Sequence, residues 1–372
     1  MIPDEGYVAA LAGVEGINIH RLAALLRHHP PAEAWEVVCG RVAARGPIAN
    51  VLAQDGVRAG LVAAAARREP REVWDTCLHL AVRVIPWGHV DYPALLVHDP
   101  LPPPVLFAQG DLALLAGRRV AMVGTRNATA AGRHTAKVLG HDLAAAGVHV
   151  VSGLARGVDG CAHRGVLSAE GEGRPIGVVA SGHDVVYPRE HGDLWEAVAN
   201  CGLLLSEGPP GTAPQGFRFP LRNRIIAALA EVVVVVESRE RGGSLLTADD
   251  ALTRGVPVMA VPGPVGRRAG AGTNQLLRDG AAPVTEAADV LAHLAFQHER
   301  VPTPNLDLRV RPRRGDLAAY RLLQHEPRTL DGVALALGGG LMAVAMSLAR
   351  LEAGGWIAQA DGWFECVGSP LP

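Results

Sequence analysis

The spacing of apolar and polar residues divides the chain into segments of different texture. Residues 1–78 are rich in Ala, have apolar positions at helical spacing and few β-branched residues, and predict a small helical domain. Residues 79–298 alternate short apolar runs with helical patterns. A Pro- and Arg-rich stretch, 299–314, predicts a linker, and residues 315–372 predict three helices followed by a hairpin near Ala360. The chain is therefore expected to contain three domains and one linker.

The central segment has the pattern of a parallel α/β sheet. Each apolar run is followed by a turn containing Gly or Pro and then by a helical pattern, which is typical of a doubly wound parallel sheet. The predicted strands are 120–123, 148–152, 176–180, 203–206, 232–237 and 258–261.

The two terminal segments have weaker signals. The sequence GVEGIN at 13–18, followed by a helix from Ile19, resembles the hairpin of a helix-hairpin-helix or SAM-like domain. Such a hairpin either binds phosphate or has a structural role, and we favour the structural role. The C-terminal order predicts a winged helix. Its candidate recognition helix, 341–352, carries Arg350 as its only basic residue, so we expect it to form a packing, protein-partner or regulatory surface.

Charge and composition exclude several classes of protein. The formal net charge of −2 over 372 residues requires any contact with nucleic acid to be local. Lys137 is the only lysine among the 35 basic residues, and Ala136 precedes it where a GxxxxGK[ST] loop needs Gly. A P-loop ATPase is therefore excluded.

Cysteine usage and the N-terminal sequence indicate the compartment. The five cysteines are scattered without a CxxC pair, which predicts reduced, buried thiols and no metal site. The N-terminal sequence lacks a basic signal-peptide region, and no apolar run reaches about 18 residues. We expect a cytoplasmic protein without a membrane span.

The predicted strand ends carry the candidate chemistry. In open α/β sheets, ligands bind beyond the carboxyl ends of the strands, where small residues and helix N-terminal amides accommodate phosphate. Two arginines project from adjacent strand ends, and a Gly-rich turn precedes a further helix. The candidate residues at this edge are Gly124, Arg126, Ser152, Gly153, Arg156, Gly243 and Ser244.

The octapeptide FRFPLRNR at 217–224 contains three guanidinium groups and two aromatic rings but no carboxylate. A predicted apolar helical run, 225–230, follows it. A phosphate backbone with stackable bases would satisfy such a cluster, whereas a structural cluster would cap helices and pair with buried carboxylates. Composition leaves both open, and the position beside Arg126 and the Gly-rich turns favours phosphate binding.

Two common α/β functions are disfavoured. The first loop, GTRNATAAG, lacks GxGxxG, and the second strand ends in Ser-Gly without the acid that would bind a ribose, so we expect no dinucleotide cofactor. A GxSxG nucleophile elbow is missing. His163, His183 and His191 are expected to have buried or capping roles.

Several motifs occur in one order along residues 85–295. They are VGTR from Val123, SGLARGVDGCAH from Ser152, VYP from Val186, LSE from Leu205, FPLRNRIIAALA from Phe219, GGSLLTA from Gly242, AVPG from Ala260, GTN from Gly272 and DGA from Asp279. Together they resemble the DprA family, also called Smf, the DNA-processing proteins of natural transformation.

The resemblance implies an extended Rossmann-like domain that binds single-stranded DNA without ATP. We expect no cofactor and no enzymatic activity. The resemblance also implies a homodimer that delivers a RecA-family recombinase onto the strand and displaces or shares it with single-strand-binding protein. Carried over by motif, the binding residues would be Arg126, Ser152, Gly153, Arg156, Phe219, Arg222, Asn223, Arg224, Gly243 and Ser244.

Two alternatives remain from the residues alone. A nucleotide or nucleoside-phosphate hydrolase on a Rossmann-like fold would use a Gly-rich loop such as Gly242-Gly243-Ser244, although the acids that follow here are Asp249 and Asp250 and no Pro precedes the loop. A transcription factor built around the winged helix would prefer duplex DNA.

Overall fold

A computed structural model describes residues 2–46, 48–52, 55–296, 312–324, 328–360 and 362–366. The chain divides into two compact units, residues 1–302 and 303–372. The predicted domains 1–78 and 79–298 both fall within the first unit. Residues 299–311 of the predicted linker lie outside the described part of the chain.

The N-terminal segment is helical, as its periodicity predicts. Its core contains Leu11, Leu25 and Trp35 and continues into Val84 and Phe107 of the sheet. The hairpin residue Asn18 caps the second helix, because its side-chain oxygen accepts a hydrogen bond from the Arg21 amide at 2.9 Å. The helices are α1 (Asp4–Ala12), α2 (Ile19–His28), α3 (Pro31–Val38), α4 (Ile48–Leu52), α5 (Asp55–Ala65) and α6 (Pro70–His79).

The rest of the first unit is built on a nine-stranded sheet with the order β1-β2-β6-β5-β4-β3-β7-β8-β9. The seven strands from β6 to β9 in that order are mutually parallel, whereas β1 and β2 pair antiparallel at one edge. The strands are β1 (Arg83–Pro86), β2 (Val105–Gly110), β3 (Arg119–Val123), β4 (His149–Ser152), β5 (Pro175–Val179), β6 (Leu203–Ser206), β7 (Val232–Val235), β8 (Val258–Ala260) and β9 (Ala282–Pro283). The six predicted strands are confirmed, and β1, β2 and β9 are additional.

Both faces of the sheet are covered by helices. Val232 and Val234 of β7 face the layer formed by α8, α9 and α14, and Val233 and Val235 face the layer formed by α11 and α12. This double burial explains the uninterrupted valine run. The helices are α7 (Ala94–Val97), α8 (Ala130–Ala145), α9 (Val158–Leu167), α10 (Gly192–Cys201), α11 (Arg218–Leu229), α12 (Gly243–Thr253), α13 (Ala271–Arg278) and α14 (Ala287–Phe296).

The strand order reverses between β3 and β7. From β3 the parallel strands continue through β4, β5 and β6 to one side, and from β7 they continue through β8 and β9 to the other. The crossover connections therefore diverge at this point and leave a crevice beyond the carboxyl ends of β3 and β7. The mixed α/β, Rossmann-like fold predicted from the sequence is confirmed.

The described residues of the second unit form three helices and a three-stranded antiparallel sheet, with the order β10-β12-β11. Tyr320 and Trp356 pack edge to face in its core with ring centroids 5.5 Å apart. The predicted hairpin turn residue Asp361 lies outside the described residues, and the winged-helix assignment stays a prediction. The elements are α15 (Leu317–Leu323), β10 (Arg328–Thr329), α16 (Leu330–Leu337), α17 (Leu341–Ala353), β11 (Ile357–Ala360) and β12 (Trp363–Cys366).

Arg350, the basic residue of α17, forms an ion pair within this unit. Its guanidinium donates to the Asp316 carboxylate at 2.6 and 3.0 Å, and Ser347 donates to the same carboxylate at 2.7 Å. The exposed side of α17 is apolar, with Leu341, Met342 and Met346. The helix thus presents an apolar surface, as its sequence predicts.

Two sequence expectations concern thiols and membranes. Cys77 alone among the five cysteines is buried and Cys201 is exposed, so the expectation of buried thiols was wrong for most of them. Cys201 ends α10, where the helix surface meets solvent. Among the described residues no single helix is long and apolar enough to cross a membrane; α16 and α17 reach that length only together, with a bend of 116°.

Candidate nucleic-acid interface

An open groove of about 700 Å³ occupies the crevice between the carboxyl ends of β3 and β7. Its walls are the loops that follow β3, β4, β5, β6 and β7, together with residues of α11 and α12. Three exposed arginines, Arg126, Arg239 and Arg241, line it with two aromatic residues, Tyr187 and Phe219. Cationic and aromatic groups therefore share one solvent-accessible surface.

Arg126 begins a row of planar groups along one wall. Its guanidinium carbon lies 4.6 Å from the centroid of the Phe219 ring, within the range of a cation–π contact. The Phe219 and Tyr187 centroids are 5.5 Å apart, with an interplanar angle of 51°. Arg126 and Tyr187 are exposed and Phe219 is half-buried, so the row offers stacking faces and a charge to the same ligand.

Helix α11 decides which side chains of the octapeptide reach the groove. The helix begins at Arg218, earlier than the 225–230 run predicted from the sequence. Residues four apart share a helix face, so Phe219 and Asn223 both line the groove. Arg222 and Arg224 are two positions apart, about 200° around the helix. Only Arg222 is on the groove side.

Arg222 forms the floor of the groove. It is buried, and its Nη1 donates to the Val178 carbonyl at 2.5 Å. A Cβ added to Gly153 would lie 1.8 Å from that same nitrogen, so glycine is required for the guanidinium to pass. Burial lowers the pKa of Arg222 to about 10, and the nearby charge of Asp159 opposes that shift.

Asp159 is the buried counter-charge of Arg222. One of its carboxylate oxygens accepts a hydrogen bond from the Gly153 amide at 3.1 Å. Burial raises the pKa of this carboxyl, against the opposing charge of Arg222 and the hydrogen bonds from the Ala155 and Gly153 backbone. Asp159 and Arg222 therefore fix the loop after β4 beneath the exposed wall.

Arg224 does not reach the groove. It is buried, forms an ion pair with Glu207 and donates to the Leu101 carbonyl at 2.7 Å. Burial raises the pKa of Glu207, and the charge of Arg224 counteracts the rise. Arg218, at the start of the helix, is half-buried within range of the same carboxylate. This part of the octapeptide has the contacts of the structural alternative.

Ser152 and Arg156 are also engaged elsewhere. Ser152 is buried and donates to the Met122 carbonyl at 2.6 Å, which ties β4 to β3. Arg156 is exposed but pairs with Glu190, and this hydrogen bond lowers the pKa of the Glu190 carboxyl to about 2. Neither residue lines the groove, and their predicted contact with DNA stays a prediction.

The predicted glycine positions have identifiable roles. Gly124 ends β3 against α9, where an added Cβ would lie 2.4 Å from Val158 Cγ2. Gly243 begins α12 in open space, with no atom within 4 Å of an added Cβ. The Ser244 hydroxyl donates to Ser238 Oγ at 2.9 Å, which fixes the turn before α12. Gly124, Gly243 and Ser244 all line the groove.

A carboxylate of the chain itself occupies the start of α8. Glu237 is buried, and its Oε1 accepts a hydrogen bond from the Thr129 amide at 3.0 Å. The Thr129 hydroxyl donates to the other oxygen, Oε2, which would lie 2.6 Å from a Cβ on Gly132. In dinucleotide-binding Rossmann folds this helix N-terminus holds the pyrophosphate. Glu237 takes that position, and the expectation that the chain binds no dinucleotide cofactor stays a prediction.

His163, His183 and His191 are buried, as expected. His183 Nε2 lies 3.2 Å from the Leu204 carbonyl, and His191 Nδ1 lies 3.0 Å from the Leu154 carbonyl. Burial lowers the pKa of both His163 and His183 to about 4. They belong to the layer beneath the groove.

The acids weighed for a hydrolase are not arranged around the Gly-rich turn. Asp250 pairs with Arg254 at 3.1 Å on the next helical turn, and Asp249 is exposed. Within the described ranges, no group of three or more His, Cys, Asp or Glu side chains is placed to hold a metal ion. The structure therefore gives the hydrolase alternative no supporting contact.

Arg239, Arg241 and Tyr187 line the groove but were not among the predicted binding residues. The sequence signal for the two arginines is their position directly after the buried valine strand, where the loop must emerge at the carboxyl edge. Tyr187 lies within the VYP motif but far from the other candidates in sequence.

Comparisons with known proteins give a consistent result. The family model for DNA recombination-mediator protein A matches residues 83–295. DNA processing protein DprA from Bacillus subtilis is 42% identical over 224 residues, which are 60% of this chain and 75% of that protein.

Two solved structures share the fold. DprA from Streptococcus pneumoniae aligns with a TM-score of 0.63 and 28% identity, over 78% of this chain and 98% of that chain. DNA processing protein A from Helicobacter pylori, described for its single-stranded DNA binding mode, aligns with a TM-score of 0.51 and 28% identity, over 58% and 97%. The match to the family spans more than half of the chain and contains the whole groove, so this chain belongs to the DNA recombination-mediator protein A family.

Proposed function

We propose that this chain binds single-stranded DNA in the groove with little sequence preference, and that it helps to load a RecA-family recombinase onto the strand in natural transformation and homologous recombination. The observation that carries the proposal is the row of Arg126, Phe219 and Tyr187, in an open groove that Arg239 and Arg241 also line. The Helicobacter pylori relative, described for its single-stranded DNA binding mode, supports the same ligand.

The groups in the row match the two chemical faces of a single strand. Guanidinium groups bind phosphate oxygens through paired N–H donors, and aromatic rings stack on bases. Stacking tolerates any base, because every base has a π face. The sugar-phosphate backbone would follow the arginines while successive bases meet Phe219 and Tyr187.

The charge distribution restricts binding to this surface. The chain as a whole carries a formal charge of −2, so a strand gains attraction only where arginines cluster. Each phosphate contact contributes about −0.7 to the slope of log affinity against log salt for single strands. Binding should therefore weaken steeply as salt rises.

The test is fluorescence anisotropy with a labelled oligo-dT. Arg126→Ala should weaken binding roughly tenfold or more, since a hydrogen bond to a charged group contributes about 1.5–3 kcal/mol. The melting temperature should not change, because Arg126 is exposed.

Arg174→Ala is the matched control for Arg126→Ala. Arg174 immediately precedes β5 and therefore lies at the amino edge of the sheet, opposite the groove. The control should bind like the unmodified protein. Equal affinities for Arg126→Ala and Arg174→Ala, both folded, would contradict the proposed groove.

Loading of the recombinase follows from the same groove if the protein forms a homodimer. Two grooves on one strand would gain avidity and hold it open for a second protein. On DNA coated with single-strand-binding protein, the chain should shorten the lag before a RecA-family recombinase begins DNA-dependent ATP hydrolysis. With Arg126→Ala, the lag should be as long as it is in the absence of the chain. A lag as short as that with the unmodified protein would argue against the groove as the loading site.

A further inference from the structure

Two neighbouring loops at the carboxyl edge carry four exposed arginines. Arg239 and Arg241 are on the loop between β7 and α12, and Arg267 and Arg268 are on the loop between β8 and α13. Within the described residues, none of the four forms an ion pair. Glu240 is the only exposed acidic residue of these two loops, so the surface keeps a net positive charge.

Residues 263–270 form a closed loop, here called the basic loop. Its two ends touch at Gly263 and Gly270, where a Cβ on either glycine would lie within 2.8 Å of the Cα of the other. Asn274 clamps the same end from α13: its side chain accepts from the Gly263 amide and donates to the Gly263 carbonyl, both at 3.0 Å. The shape of the loop is thus set by the contact between its two glycines and by the hydrogen bonds of Asn274 to its backbone.

The basic loop is attached to the wall of the groove. The Gly272 amide donates to the Ser238 carbonyl at 2.8 Å, and a Cβ on Gly272 would lie 2.5 Å from the Arg239 carbonyl oxygen. Arg239 itself lines the groove. The chain directly after the basic loop is therefore fixed beside the β7 wall of the groove.

The tip of the basic loop faces solvent. Val265 is 98% exposed, and Arg267 and Arg268 are exposed. A guanidinium that is held near other cations and not neutralised by a carboxylate is well placed for phosphate. The clamped backbone adds to this, since less conformational freedom is lost when a ligand binds.

We infer that the basic loop is a second phosphate-binding segment, which takes the backbone of a single strand as it leaves the groove past Arg239. This inference rests on the proposed function of the groove and extends it. The strand runs from Arg126 across the groove to Arg239 and Arg241, and then over Arg267 and Arg268. The segment recognises phosphate and not bases, so it lengthens the binding footprint without adding sequence preference.

The test compares two lengths of oligo-dT, one of about 6 nucleotides that fills the groove and one of about 20 that extends beyond it. The double variant Arg267→Ala, Arg268→Ala should bind the short strand like the unmodified protein and the long strand several-fold more weakly. The slope of log affinity against log salt for the long strand should shrink by about 0.7 for each phosphate that the variant no longer binds.

Two further variants keep the result interpretable. Arg278→Ala removes a positive charge from the far end of α13, which leads away from the carboxyl edge. This variant should not change the affinity for oligo-dT of either length. The double variant Arg267→Lys, Arg268→Lys keeps the charge and should retain most of the salt slope. Unchanged long-strand binding by the alanine double variant would overturn the inference, whereas failure of the unmodified protein to bind either length would overturn the proposed function.

Discussion

The exposed arginines of the groove and the buried arginines of α11 show two opposite uses of one side chain. Arg126, Arg239 and Arg241 are exposed and carry charge that the described residues do not neutralise by ion pairs. Arg222 and Arg224 are buried and engage carbonyl oxygens and the carboxylates Asp159 and Glu207. A run of arginines in sequence therefore does not by itself define a binding surface.

The physical basis of the difference is the cost of burying charge. A buried guanidinium loses hydration and is stable only with hydrogen-bonding partners and a counter-charge, which then leave no capacity for a ligand. An exposed guanidinium keeps its hydration and exchanges it for phosphate on binding. Variants of the two sets should thus separate into effects on stability and effects on DNA affinity.

The largest effect is expected for Arg224→Ala. The substitution leaves the Glu207 carboxylate buried without its partner, which should lower the free energy of unfolding by about 3–5 kcal/mol. Urea denaturation followed by circular dichroism measures the change. Where the variant is folded, its affinity for oligo-dT should equal that of the unmodified protein.

Adding Glu207→Gln to Arg224→Met gives the matched control, because it removes both charges together. This double variant should recover much of the lost stability. Reduced oligo-dT affinity of a folded Arg224→Ala protein would contradict the assignment of the buried arginines to stability alone.

The second effect is a loss of stability in acid that comes from the buried histidines. The pKa values of His163 and His183 are lowered to about 4, so between pH 6.5 and 4 the unfolded chain binds protons that the folded chain does not. The contribution of these two neutral histidines to the free energy of unfolding is therefore fully present above about pH 6.5. It falls as the pH decreases, by up to about 1.4 kcal/mol per pH unit for each histidine.

Chemical denaturation across this pH range measures that loss. His163→Gln removes one of the titrating groups, so its stability should depend less steeply on pH than that of the unmodified protein. Equal slopes for the two proteins would mean that His163 is not held neutral in the folded state. Oligo-dT affinity should follow salt concentration in both.

The smallest effect is expected for the double variant Arg239→Ala, Arg241→Ala. Both side chains are exposed, so stability should change by less than about 0.5 kcal/mol. Oligo-dT affinity should fall several-fold, and the salt slope should decrease by about 0.7 for each phosphate released from the interface. Anisotropy titrations at three salt concentrations measure both, and an unchanged slope would remove these two arginines from the interface.

The sequence predicted the central sheet well because its strands are buried on both faces. Continuous valine runs, as in β7, have few alternatives to a parallel central strand. The additional strands β1 and β2 form the antiparallel edge, and prolines at 102–104, directly before β2, obscured the pattern. The short β9 has only two residues and little signal.

The site was predicted less completely because its geometry depends on where α11 begins. A start at Arg218 in place of Ile225 puts Arg222 and Arg224 inside the helix, on different sides. No local pattern shows that Glu207, 17 residues before Arg224, supplies the buried counter-charge. Likewise, the pairing of Arg156 with Glu190 joins positions 34 apart.

The Glu237 carboxylate at the start of α8 has a consequence for free nucleotides. A free nucleoside diphosphate or dinucleotide would have to expel a buried side chain of the protein from the helix end that such molecules usually occupy. The fold therefore fills that position permanently with one of its own side chains. In the function proposed above, a strand in the groove would therefore lie beside a helix end that one of the protein's own carboxylates already occupies.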